Sequence, residues 1–298
     1  MTLKMNGAIE IPASAGSSFD HGAFDAKTRR VFVAHTGRDC VEVIDHDARR
    51  HIATLSGFPQ AAGIVADDGT VLVTNRGADS LAFVDARSLE TKAAFKTGAR
   101  PNGVAIVSRR NLAIAACIGD DTNGPMLQML SLDGGPHFSI DLPGRPRWCV
   151  TDVAATRVFL AIREPSMVLV ARLPELNHVE HWKIPVAGAH GLDIDHQRGR
   201  LYIACDDAAL VEVDIGSAKA TNQWPIAGAP DVTFCNPTTG LVHVAIGEPG
   251  LVQSIDPRTG ASTQIATGPG AHTTALAAPD RLYVFSPLHG GALALLDA

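Results

Sequence analysis

One unit of three short apolar runs, separated by turn residues, recurs along the whole chain. It is clearest at 20–45, where DHGAFD leads to RRVFVAHTG and then CVEVID. It returns at 189–214 as AHGLDID, GRLYIACDD and ALVEVD, and at 271–297 as AHTTALAAPD, RLYVFSPLHG and GALALLD. Each of these copies carries a histidine at its opening: His21, His190 and His272. A unit this small cannot bury its own apolar faces, so repeated copies must stack on one another.

The spacing divides the chain into seven units, at about 19–57, 58–98, 99–144, 145–187, 188–228, 229–270 and 271–298. Runs rich in Val, Ile, Leu and Ala recur every ten residues or so between Gly, Pro, Asp and Asn, which is an all-β pattern. Most units contain a fourth run, such as HIATL at 51–55. The seventh stops after its third, and a surplus run at Ala8 to Ile11 supplies the missing one. Units of about 41 residues with four runs each predict one domain over 1–298, a seven-bladed β-propeller. Its blades are four-stranded and antiparallel, and the N-terminal strand completes the last blade and leaves no free terminal edge. A β-solenoid is the competing architecture, but its repeats are shorter and need no N-terminal complement.

Net charge is -6, spread without a basic stripe, which excludes a nucleic-acid partner. No apolar run approaches the roughly 18–20 residues needed to cross a bilayer. The N-terminus shows no secretory pattern, and the five cysteines are odd in number and scattered. A reducing cytoplasm is the compartment expected, with the chain acting as a monomer on a small molecule.

The string VTNRGADSLAFVD at Val73 to Asp85 resembles the repeat of the YVTN-type β-propellers, and RPNGVAI at Arg100 to Ile106 resembles that family's inner-strand opening. The resemblance covers nearly the whole chain, more weakly in the third and fourth copies. It implies a seven-bladed propeller and no particular activity, because these residues build blades.

In an up-and-down blade, the turn before the first strand and the turn after the second lie at the same end. Residues opening the first strands therefore ring the mouth of the central channel. They are His21, Gln60, Asn102, Arg147, His190, Asp231 and His272, every one polar or ionisable. One step further out, at the turns after second strands, stand His35, Arg38, Asn75, Arg76, Arg163, Asp206, Glu248 and His289, among others. Three histidines converging on an axis can bind Zn, Mn or Fe and leave a position open for water, whose pKa falls to roughly 7. His21, His190 and His272 are the expected ligands, with His35 or His289 as substitutes. Asp231 and His289 are candidate acid–base groups. Arg147 is suited to gripping a substrate carboxylate with two hydrogen bonds. Gln60, Asn75 and Asn102 can orient substrate polar groups, and Trp148 can wall a pocket.

The plain structural reading is that a water-filled channel lines its mouth with polar residues whatever its function. Cys117 and Cys205 read as buried structural cysteines, and Trp182 and Trp224 as packing between blades. No GxSxG, HExxH or GxGxxG motif is present. Two functions follow. The first is a metal-dependent hydrolase or lyase, lactonase-like, acting on a small carboxylate-bearing substrate. Gluconolactonase-type propellers and peptidylglycine amidating lyase resemble it in architecture only. The former use carboxylate and amide ligands, whereas this mouth is rich in histidine. The second is a non-catalytic module binding a small ligand, peptide or protein on the same face.

Overall fold

The computed structural model describes residues 3–133, 137–279 and 281–297. Asp280, in the last of the turns joining first and second strands, and Ala298, where the seventh unit stops, lie outside the described residues. Seven four-stranded antiparallel sheets form the blades of a β-propeller. The first blade runs outward through Gly22–Asp25, Arg30–His35, Cys40–Asp45 and Arg50–Ser56. The other innermost strands are Ala61–Asp67, Pro101–Val107, Pro146–Thr151, Ala189–Asp195, Pro230–Cys235 and Thr273–Ala277.

The middle strands are apolar at consecutive positions because both of their faces are covered. Val31, Phe32, Val33 and Ala34 are all fully buried, as are Val158 to Ile162. Apolar residues form seven clusters, each seated between two adjacent blades. The core of this molecule is thus a circle of like interfaces, and a blade on its own would expose two apolar faces. Outermost strands meet water: Asn177–Lys183 buries only Trp182, which packs between the fourth and fifth blades. Trp224 packs against the next cluster, between the fifth and sixth.

The ring closes through the N-terminus. Leu3–Glu10 is the outermost strand of the last blade and pairs antiparallel with Gly291–Asp297, from Leu3 opposite Asp297 to Glu10 opposite Gly291. The closing strand begins five residues earlier than the run at Ala8 to Ile11, and a bulge between Met5 and Ala8 hides its full length from an alternation reading. Leu3, Ile9 and Ile11 are buried against neighbouring blades. Each contributes about 1.5–3 kcal/mol of burial to closure. Among the described residues, no helix is long and apolar enough to cross a membrane.

Candidate functional site at the channel mouth

Innermost strands of the second to sixth blades begin with a break in pairing. The register shifts between Ala61 and Ile64, Pro101 and Gly103, Pro146 and Cys149, Ala189 and Gly191, and Pro230 and Thr233. A residue inside such a bulge is released from the ladder, and its side chain can be re-aimed. The residues so released include Ala62, Asn102, Arg147, His190 and Asp231. In the first and seventh blades the strand starts one residue later, leaving His21 and His272 just ahead of it. Glycine follows several of these residues for a steric reason. A Cβ at Gly103 would lie 2.2 Å from the Arg147 carbonyl oxygen, and one at Gly191 would lie 2.4 Å from that of Asp231. The glycine lets neighbouring inner strands approach at the mouth.

This register corrects one assignment. Gln60 does not join the ring; it occupies the preceding turn at φ 49°, exposed, with its amide N–H donating to Asp39. Ala62 holds the second blade's place. The gap left by so small a residue is filled from the turn beyond: Arg76 reaches the mouth and pairs with Asp20. The fourth blade departs in the other direction, with Trp148 where four other blades have glycine. Its indole crosses to the first blade and stacks on His21, ring centroids 3.8 Å apart and planes within 5°.

A small chamber of about 70 Å³ results, lined by His21, Asn102, Arg147, Trp148, His190 and Asp231, with Asp20, Arg76, Arg145 and Gly191. Carboxylates hold the histidines. Asp20 Oδ1 lies 2.5 Å from His21 Nδ1, Asp206 Oδ1 lies 2.7 Å from His190 Nδ1, and Asp231 Oδ2 lies 2.6 Å from His272 Nδ1. Asp231 Oδ1 also lies 3.3 Å from His190 Nε2, so one carboxylate joins the fifth, sixth and seventh blades. Arg163 Nε donates to Asp206 at 2.6 Å.

These contacts divide the histidines. Burial pushes His21 down to about 4, so it is neutral at pH 7. Burial also opposes charge on His190 and His272, but hydrogen bonds to Asp206 and Asp231 outweigh it and hold both above the usual histidine value. Asp231 is half-buried; desolvation opposes its charge, yet its two histidine partners outweigh that and hold it well below the usual carboxylate range. Burial lowers Arg76 and Arg147 to about 10, which leaves both cationic. Their Nε–H groups are buried without an acceptor among the described residues.

Of the sequence candidates, His21, Asn102, Arg147, Trp148, His190 and Asp231 meet at the chamber, and His272 joins through Asp231. Asn75 turns back to its own blade, donating from Nδ2 to Ser80 at 3.3 Å. His289 is exposed on the last blade, its Nδ1 2.9 Å from Ser286 Oγ. His35 is fully buried inside the first blade between Glu42 and Ser17, at 2.8 Å from each. Neither can substitute for a mouth histidine. The expected metal triad is brought to one opening without converging. Among the described residues, the trio of ligand atoms lying within 4.8 Å of one another is His35–Cys40–Glu42, and no such trio forms at the mouth. All five cysteines are free and buried; burial pushes the Cys117 and Cys205 thiols up to about 12. Asp20 escaped the sequence reading although it directly precedes His21, and Arg145 although it stands two residues before Arg147.

No protein-family model matches the chain, and no curated protein matches it. The YVTN-type resemblance therefore rests on the two strings that suggested it. Solved structures with the same fold include a streptogramin B lyase, at 10% identity and TM-score 0.83, covering 99% of this chain and 97% of that one. The hydrazine synthase of Kuenenia stuttgartiensis aligns at 12% identity and TM-score 0.83, covering 97% of each chain. At such identity the likeness is one of fold.

Proposed function

We propose that the mouth chamber is an acid–base active site that cleaves a small carboxylate-bearing substrate, by elimination or by ester or lactone hydrolysis. The observation that carries this reading is the set of three mouth histidines whose surroundings push their pKa values in opposite directions, His21 down and His190 and His272 up, with the half-buried Asp231 joining the latter two. Groups whose surroundings push their pKa values apart suit opposite halves of a proton transfer. His21, neutral and anchored through Nδ1, has Nε2 available to take a proton from carbon or from water. His190, whose contacts with Asp206 and Asp231 favour its charged form, returns a proton to the leaving oxygen by turning Nε2–H out of its long 3.3 Å contact with Asp231. The guanidinium groups of Arg147 and Arg76, with buried N–H groups lacking acceptors, grip the substrate carboxylate. Asn102 orients a neutral oxygen. The solved lyase of the same fold lends this reading a precedent by its name alone.

A divalent transition metal is the second reading, favoured by one observation: each mouth histidine has Nδ1 on a carboxylate. That outer-shell pattern accompanies metal-binding imidazoles. The donors stand too far apart as arranged, and His190 Nε2 already faces Asp231. No step is routed through an ion.

Metal analysis of the purified protein decides between the readings. The acid–base reading expects less than about 0.1 equivalent of Zn, Mn and Fe together, and no chelator effect on melting; stoichiometric metal lost with His21, His190 and His272 overturns it. Turnover is read as proton release from a panel of hydroxy-acid lactones and esters. His21→Gln should lower kcat by about 10²–10⁴, and Arg147→Ala should chiefly raise KM. A protein that binds small carboxylates and turns none over is a binding module.

A further inference from the structure

The other end of the channel holds a second and larger cavity. It measures about 760 Å³, within the range of small-molecule sites, and all seven inner strands or their turns contribute to its wall. Among the described residues Trp148 alone borders both this funnel and the mouth chamber, so the His21–Trp148 stack is the partition between them. Past the partition the lining changes character. Three residues beyond each mouth position stand Phe24, Val65, Ala105, Val150, Phe234 and Ala275 in six blades, and Asp193 in the fifth. Phe24, Val65, Val150 and Phe234 are only partly buried and face the funnel, with Ile106 and Leu276 beside them. A channel that held only water would gain nothing from this apolar belt, which stays wetted until something covers it.

Asp193 is the exception in the belt, and it is built in. Its Oδ1 accepts the Ile194 N–H at 2.8 Å and its Oδ2 the Cys235 N–H at 2.7 Å. Among the described residues no lysine, arginine or histidine pairs with it. Its surroundings raise its pKa to about 7, burial being the main cause and the nearby Asp195 charge a lesser one. A carboxyl group in an apolar wall, fixed in place and lacking a counter-ion, is completed by a ligand that brings the positive charge.

We infer that the funnel is a binding site, separate from the mouth chamber, for a small organic cation with an apolar body, whose ammonium group pairs with Asp193 while its hydrocarbon part covers the belt and the indole of Trp148. The indole's contact with the ligand adds a cation–π or stacking component.

The test uses the full chain and three probes of one size: phenethylamine, 2-phenylethanol and phenylacetate, titrated calorimetrically and by tryptophan fluorescence at pH 8. The amine is expected to bind about tenfold or more tightly than the alcohol, and phenylacetate not at the funnel. Asp193→Asn should bring the amine down to the alcohol's affinity and leave the alcohol unchanged. Should that variant melt far below the parent, Val65→Arg, at a partly exposed position of the same belt, replaces it and is expected to reject the amine. Arg147→Ala, a mouth variant, should leave amine binding intact, so failure at the mouth and failure in the funnel are read separately. Equal binding of the amine and the alcohol, binding of neither at about 10 mM, or an amine preference that survives both belt variants overturns the inference.

Discussion

Glu42 offers the sharpest test of how the first blade is held. It is almost fully buried, at 1% exposure, in the strand Cys40–Asp45. Its Oε1 accepts from His35 Nδ1 at 2.8 Å and from the Cys40 thiol at 3.4 Å. Its Oε2 accepts from Thr54 Oγ1 at 2.6 Å and His51 Nε2 at 2.8 Å. Burial alone would raise its pKa, but these four donors outweigh it and hold the group at about 2, against an ordinary 4.5. A carboxyl depressed on folding contributes stability above its unfolded value and loses it as pH falls towards the folded one. The difference amounts to about 3 kcal/mol at pH 7, of which about 2 is gone by pH 3. Glu42→Gln keeps the shape and removes the titration. Urea unfolding of both proteins at pH 7, 5 and 3, followed by circular dichroism, should show a stability gap that narrows by about 2 kcal/mol towards acid. A gap of constant width would refute the argument, because it would mean that the donors do not favour the charged form.

Removing residues 1–11 strips Leu3, Ile9 and Ile11 from the core and leaves Gly291–Asp297 as an open edge. The loss of about 5–9 kcal/mol matches a typical total stability, so the truncated chain should aggregate on gel filtration. Gly191→Ala would force a Cβ to 2.3 Å from Thr233 Oγ1 and 2.4 Å from the Asp231 carbonyl. It should cost about 1–3 kcal/mol in thermal unfolding and loosen the His190–Asp231 contact, seen as a downward move of the His190 pKa by NMR. Trp148→Ala removes the stack that buries His21, and the His21 pKa should climb from about 4 towards its ordinary value in the same titration. With burial raising every cysteine thiol and the lowest standing at about 12, a disulfide reagent at pH 8 should find no reactive cysteine until the protein unfolds.

Much of the fold was legible because propeller packing writes itself into the middle strands. Runs such as VFVA at 31–34 and VFLAI at 158–162 are apolar throughout, since each is pressed between two blades, and turn residues separate them. Closure was legible as a deficit at one end matched by a surplus at the other. The mouth was legible wherever a bulge residue is polar and a glycine follows, as at Asn102–Gly103 and His190–Gly191. It failed at the second blade, where the slot residue is Ala62 and the nearest polar residue, Gln60, lies two positions early. The signal that would have found it is the glycine, Gly63, whose Cβ would lie 2.0 Å from the Asn102 carbonyl oxygen. The Asp20–Arg76 pair left no local trace, because it joins the first and second blades across 56 residues of chain.

Trp148 shows why the two halves of the channel belong in one account. At its position in the repeat a glycine serves packing alone, and an indole there costs the close approach that Gly103 and Gly191 provide. In exchange the side chain spans the channel from the fourth blade to the first. It seals His21 from the funnel, and that desolvation is the main reason His21 stays neutral beside Asp231. Any ligand that covers the funnel side of the indole would further dry the partition and push His21 lower still, whereas water entering there would raise it. Occupation of one cavity thus bears on the proton inventory of the other through a single side chain. The coupling has a fixed sign: with phenethylamine bound, the His21 pKa should fall, and in Trp148→Ala it should no longer respond. A His21 titration that ignores the amine in the parent protein would show the two cavities to be independent.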